Sequence, residues 1–206
     1  MNTLLTDERL ETLADDLAHQ GWAVRDEFLP PGLIARLALD CRQRQAQGLL
    51  ERAAVGRGSG QAIRETVRGD SIEWLEPGLS PAVDAYLAAM QELREGLNRS
   101  LYLGLADYEC HFTLYPPGSF YQRHLDRFRD DDRREISAVF YLNEQWGAED
   151  GGALRLYLDD RVMDLAPLAG RLVLFRSAQW PHEVLPATRE RLSLTGWFRR
   201  RGDGVI

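Results

Sequence analysis

Tyr108-Glu109-Cys110-His111-Phe112-Thr113-Leu114-Tyr115-Pro116-Pro117-Gly118 is the stretch that decides the fold. Its first eight residues alternate apolar and polar, the period of a half-buried strand. The Pro-Pro-Gly that follows cannot continue a ladder and forces a turn. Downstream, residues 136–142, 153–158, 162–165, 171–175 and 192–198 read the same way, and Asp159-Asp160 marks one of the turns. Short strands at close spacing predict an all-β sandwich or barrel. Upstream the period changes to that of a helix. Thr6 is a fitting N-cap with Glu8 and Glu11 near the first turn, and Leu10, Leu13, Ala14 and Leu17 form one stripe. Trp22-Ala23-Val24-Arg25 reads as a short strand. Pro31 opens a second helix carrying Leu33, Leu37, Leu39 and Cys41. Ser80-Pro81 opens a third carrying Val83, Tyr86, Leu87, Met90, Leu93 and Leu97. Residues 53–69 are rich in Gly, Arg and Ser without a period and read as a flexible loop. The expectation is a mainly β protein, with helices packed outside a barrel of antiparallel strands, as one domain over residues 1–206.

A chain of 206 residues supports one domain with a sizeable core. The net charge of -7 and the pI near 5.2 argue against nucleic acid or an anionic membrane as a partner. Arg199-Arg200-Arg201 is too short to reverse that, and reads as a solvated tail after the last strand. Cys41 and Cys110 are too few and too distant for a disulfide framework and are expected as buried free thiols. The N-terminus shows no basic segment followed by an apolar one, and no apolar run reaches membrane-spanning length. A cytoplasmic location is the expectation.

The chemistry gathers in two segments. Tyr121-Gln122-Arg123-His124-Leu125-Asp126 reads as a strand, so His124 and Asp126, two apart, project into one interior. His182-Glu183-Val184 reads as a distant strand that a barrel brings opposite. Two imidazoles and a carboxylate on one face of a metal are the ligand set of non-haem Fe(II) oxygenases. The same residues also suit zinc, but no separate general base for hydrolysis is in place. On the last strand Arg191, Ser193, Thr195 and Trp197 share one face, while Leu192, Leu194 and Phe198 share the packing face with Gly196 between them. A polar inward face is costly to bury unpaired, and an anionic ligand at the barrel mouth accounts for it. His19 sits at a helix end and is given no function. His111 shares a face with Thr113 and Tyr115, and a structural role is assigned to it.

Taken together, residues 108–200 resemble the prolyl-hydroxylase branch of the 2-oxoglutarate- and Fe(II)-dependent dioxygenases, in particular the hydroxylases of the hypoxia-inducible transcription factor. The resemblance rests on Tyr115-Pro116-Pro117-Gly118, the run 121–126, Phe140-Tyr141-Leu142-Asn143, Gly151-Gly152-Ala153-Leu154-Arg155 and His182-Glu183-Val184-Leu185-Pro186-Ala187. Upstream, Arg68-Gly69-Asp70-Ser71-Ile72-Glu73-Trp74-Leu75 is similar too. It implies a double-stranded β-helix core over residues 107–200, with residues 1–100 as helical support and substrate loop. It implies Fe(II) on His124, Asp126 and His182, with 2-oxoglutarate and O2 as co-substrates and ascorbate as a candidate reductant. 2-Oxoglutarate would chelate the metal and place its far carboxylate on Arg191, with Tyr141, Thr195 and Tyr115 beside it. Trp197, Tyr121, Arg134 and Asp70 would line the substrate, with Asp70 and Arg134 as a closing ion pair. The stretch between Tyr115 and His124 is one residue shorter than in the animal members. Asp130-Asp131-Asp132 also departs from them, either as a solvated loop or as a selector of basic substrates.

The resemblance implies peptidyl-proline 4-hydroxylation of an intracellular protein, of the transcription or translation apparatus. Hydroxylation of free proline or another small metabolite is a second reading, and the long Arg-rich loop favours a polypeptide over it. A non-catalytic oxygen- or 2-oxoglutarate-sensing module is a third, which an incomplete triad or a missing arginine would have supported; neither is seen.

Overall fold

The computed structural model describes residues 5–54, 64, 66–127 and 132–202. Helix α1 (Asp7–His19) is capped by Thr6, whose hydroxyl accepts the Arg9 N–H. Helix α2 spans Pro31–Ala46, and α3 spans Pro81–Leu101 with the Ser80 hydroxyl accepting the Val83 N–H at 3.1 Å. The strands are β1 (Trp22–Arg25), β2 (Glu51–Arg52), β3 (Ser71–Trp74), β4 (Leu105–Tyr115), β5 (Tyr121–His124) and β6 (Arg134–Tyr141). They continue as β7 (Leu154–Tyr157), β8 (Val162–Leu165), β9 (Leu172–Arg176), β10 (His182–Val184) and β11 (Arg191–Arg200).

These strands form two antiparallel sheets, β1-β9-β6-β11-β4-β3-β2 and β5-β10-β7-β8, the two walls of a double-stranded β-helix. Alternation on the large sheet builds two separate interiors. Leu192, Leu194 and Phe198 of β11, with Ile136, Ala138 and Phe140 of β6, pack outward under the three helices. Tyr141, Val139, Val173 and Phe175 point the other way and meet Leu154, Leu156 and Val184 of the small sheet. The functional residues sit at the open end of this second interior. Gly196 leaves the outer interior no room for a side chain. A Cβ there would lie 2.5 Å from the Cys110 Cβ and the Glu109 carbonyl oxygen, and 2.6 Å from the Tyr108 hydroxyl.

Segment 66–70 joins the two sheets. Gly69 donates to the Phe120 carbonyl and Gln122 to the Val67 carbonyl, at 3.0 and 2.9 Å, so the segment borders β5. The chain then enters β3, which pairs with β4 of the large sheet. The expected flexible loop is therefore anchored at both ends: Ala53 is buried and donates to the Asp70 carbonyl at 3.0 Å. Residues 55–63 and 65 of that loop lie outside the described residues, as do Asp130 and Asp131.

Two sequence expectations need correction. Arg199 and Arg200 are not a tail but the end of β11. Arg199 meets Asp107 at 2.7 Å and Glu109 at 2.6 Å, and Arg200 meets Glu135 at 3.0 Å, carboxylates supplied by or beside neighbouring strands. Strand β5 ends at His124, and Asp126 lies in the bend beyond it, so a simple strand repeat does not account for their convergence. Cys41 and Cys110 are buried free thiols, as expected, and burial raises both thiol pKa values, Cys41 to about 12.

Candidate active site

His124 and His182 face each other across the β5–β10 ladder, where they are register partners, with ring centroids 4.3 Å apart. Asp126 lies between them. Its Oδ1 is 3.5 Å from His124 Nε2 and its Oδ2 is 3.6 Å from His182 Nε2. The donor atoms of all three lie within 4.8 Å of one another, the only such group of potential metal ligands among the described residues.

Each histidine is oriented through its other nitrogen. His124 Nδ1 lies 2.7 Å from the Gln122 carbonyl and His182 Nδ1 lies 3.1 Å from the Trp180 carbonyl. A carbonyl can only accept, so Nδ1 carries a proton in each ring and Nε2 is the nitrogen turned toward Asp126. Asp126 Oδ2 accepts from the Ser137 hydroxyl at 2.7 Å, and Ser137 contacts Ser177 at 2.8 Å. Burial pushes the Asp126 carboxyl up, but the two imidazoles and Ser137 outweigh it and hold the group well below the usual carboxylate range. Burial lowers His182 to about 4. At neutral pH the set therefore presents an anionic oxygen and a neutral imidazole at His182, the states a metal needs. Two imidazoles and one carboxylate, fixed from behind and open in front, fit Fe(II).

The cavity in front of them holds about 280 Å³ and opens to the surface. His124, Asp126, His182, Arg191, Thr195, Trp197, Tyr115, Tyr121 and Arg134 all line it. Arg191 is 2 % exposed. Its Nε donates to the Gly152 carbonyl at 2.8 Å and its Nη2 meets the Tyr141 hydroxyl at 3.4 Å, while no carboxylate pairs with it among the described residues. Gly152 has φ +67, and a Cβ there would lie 2.9 Å from the Ala187 Cβ, so glycine is what lets this carbonyl reach the arginine. Tyr141 and Tyr115 are held neutral by burial and remain donors.

The expected closing pair takes a different form. Asp70 is 1 % exposed and accepts two bonds from Arg68, at 2.6 and 2.8 Å, so it cannot touch a substrate directly. Arg134 pairs with Glu109 at 2.9 Å and lies 3.4 Å over the Trp197 ring. Neither group is a free surface charge, because each found a nearer partner: Asp70 its chain neighbour, Arg134 a carboxylate on β4, one strand beyond β11. One face of Trp197 is thus already covered, and its buried indole N–H meets no acceptor among the described residues. His111 is buried among Trp74, Trp197 and Thr113 and lines the cavity rim; burial lowers it to about 3.

Sequence reading missed Arg68, which sits 4.9 Å over Tyr121, itself stacked at 3.7 Å on His124. It also missed Ser137. The β6 alternation held that signal, since Ser137, Val139 and Tyr141 share the inward face.

Residues 110–199 match the family described as the 2OG-Fe(II) oxygenase superfamily. A crystal structure of a Pseudomonas putida prolyl-4-hydroxylase is 57% identical, with 94% of this chain and 100% of that one covered and a TM-score of 0.87. A Trichoplax adhaerens prolyl hydroxylase, solved with a hypoxia-inducible-factor peptide, is 25% identical over 94% of this chain and 90% of its own, with a TM-score of 0.85. The hypoxia-inducible factor prolyl hydroxylase of Caenorhabditis elegans is 29% identical over 89% of this chain, which spans only 27% of that protein's length.

Proposed function

The chain belongs to the 2OG-Fe(II) oxygenase superfamily, among its prolyl hydroxylases, and we propose on that footing that it hydroxylates the 4-position of a prolyl residue in an intracellular protein. The reaction consumes 2-oxoglutarate and O2 and yields succinate, CO2 and a hydroxyprolyl residue. The observation that carries this reading is Arg191, a buried cation paired with no carboxylate among the described residues, in the same cavity as the triad. A dicarboxylate supplies that anion.

His124, Asp126 and His182 hold the metal in this reading, and Fe(II) supplies the centre at which O2 is activated and 2-oxoglutarate oxidised. Arg191 takes the far carboxylate by charge-assisted hydrogen bonds, flanked by the Tyr141 hydroxyl, Thr195 and Tyr115. Gly152 and Tyr141 hold the guanidinium in place before the ligand arrives, so little ordering cost remains at binding. Tyr121, Trp197 and Arg134 border the target residue, and Asp70 acts through Arg68. Ascorbate as a reductant and the cytoplasm as the compartment complete the reading. The polypeptide target is a protein of the transcription or translation apparatus.

The test compares the proteins of host cells with and without this enzyme by mass spectrometry. The expected result is a gain of one oxygen on a specific proline, dependent on 2-oxoglutarate and absent with Asp126→Ala. Faster hydroxylation of free proline than of any protein in side-by-side assays would replace the protein-hydroxylase reading.

A further inference from the structure

The cavity does not end at its mouth. Trp74, Glu109 and Arg199 line both it and a second hollow of about 510 Å³ on the outer side of β4. Trp74 is the last residue of β3 and stands on the saddle between the two, 46 % exposed. Its ring meets His111 edge-on at 5.0 Å and lies 6.3 Å from Trp197, so it continues the aromatic wall of the cavity outward. A single exposed tryptophan on a protein surface needs no explanation. One that links an active-site wall to a second groove does.

Leu75 and Leu87 are apolar members of that groove's lining, and the backbone there is fixed, since Leu75 donates to the Cys110 carbonyl at 2.9 Å. Its charges do not cancel. Arg199 is engaged by both Asp107 and Glu109, and Arg134 also holds Glu109. Glu76, exposed on the same wall, pairs with no cation among the described residues.

We propose that this groove, continuous with the catalytic cavity across Trp74, holds the stretch of substrate polypeptide flanking the target proline, and selects a basic side chain in that stretch. The inference rests on the prolyl-hydroxylase reading. A polypeptide whose proline enters the cavity must leave through its mouth. The groove offers an aromatic platform for an apolar residue, then the Glu76 carboxylate for a lysine or arginine.

The test uses the iron-loaded enzyme and a synthetic library of peptides with one central proline and varied flanks, scored by oxygen gain. Wild-type enzyme should prefer a basic over an acidic residue at one flanking position by about threefold, as fits an exposed ion pair. Glu76→Lys should reverse that preference. Trp74→Ala should raise KM about tenfold, mostly for peptides apolar beside the basic position. Peptides trimmed on that flank should no longer distinguish Glu76→Lys from wild type, although a general fold defect would still slow them. Hydroxylation with flank preferences unmoved by both substitutions would overturn the groove alone. No oxygen gain in any peptide with wild-type enzyme would overturn the prolyl-hydroxylase reading, and the groove with it.

Discussion

An arginine inside a β-barrel is costly unless an anion meets it, because burial removes the hydration of its charge. Arg191 has a carbonyl and a phenol but no carboxylate among the described residues. Arg191→Ala should therefore raise the KM for 2-oxoglutarate by at least about tenfold, since losing a buried charge-assisted contact costs on the order of 2–5 kcal/mol. A steady-state comparison with Arg189→Ala checks it, and a larger effect in Arg189→Ala would show the wrong arginine had been chosen. His111 gives a pH prediction. Burial lowers it to about 3 from the ordinary 6.5, so below pH 6.5 the unfolded chain takes up a proton that the folded one refuses. The stability it contributes is whole above that range and lost as pH falls toward 3. Urea titrations of metal-free protein should show a shallower acid loss in His111→Phe, by at most about 1.4 kcal/mol per pH unit. Equal slopes would mean His111 is not neutral in the fold.

At the level of elements, the strap of residues 66–70 closes the space between the sheets and buries the Arg68–Asp70 pair. Breaking a buried pair by removing one partner costs roughly 3–5 kcal/mol, while replacing both by apolar groups is often neutral. Arg68→Met should lower the unfolding free energy by about that much, and Arg68→Met with Asp70→Leu should recover most of it. A double variant as unstable as the single one would show that the pair is not what holds the strap. The same strap marks what was legible in the sequence. Helices with a cap and an apolar stripe, such as α1 and α3, and strands with clean alternation, such as β4 and β11, were readable because their signal is local. The Asp70 partner was not, because an arginine two residues away and one sixty-four residues away look alike without geometry. Likewise the i and i+2 spacing of His124 and Asp126 pointed to the right ligands for an incomplete reason: the strand stops at His124, and a bend brings Asp126 across.

For the whole molecule, the metal should act as a folding ligand. Mn(II), a redox-inert stand-in, should stabilise the protein by about 2.7 kcal/mol at a hundred times its Kd, because it binds the folded triad and has no such site in the unfolded chain. Thermal unfolding with and without Mn(II) reads this out, and Asp126→Ala should abolish the shift; a shift retained in that variant would place the metal elsewhere. The division of labour follows from the two interiors. The outer one, under the helices, secures the large sheet, and the inner one is left free to carry polar groups at its open end. The measurement that bears most directly on the central claim counts succinate and hydroxyproline together, using iron-loaded enzyme and the unhydroxylated form of the host protein it modifies. One succinate per hydroxyprolyl residue is expected under saturating substrate, and both products should be lost together in the His124→Ala, Asp126→Ala and His182→Ala variants. Full iron-dependent turnover in both histidine variants, or hydroxyproline formed without 2-oxoglutarate consumption, would contradict that claim.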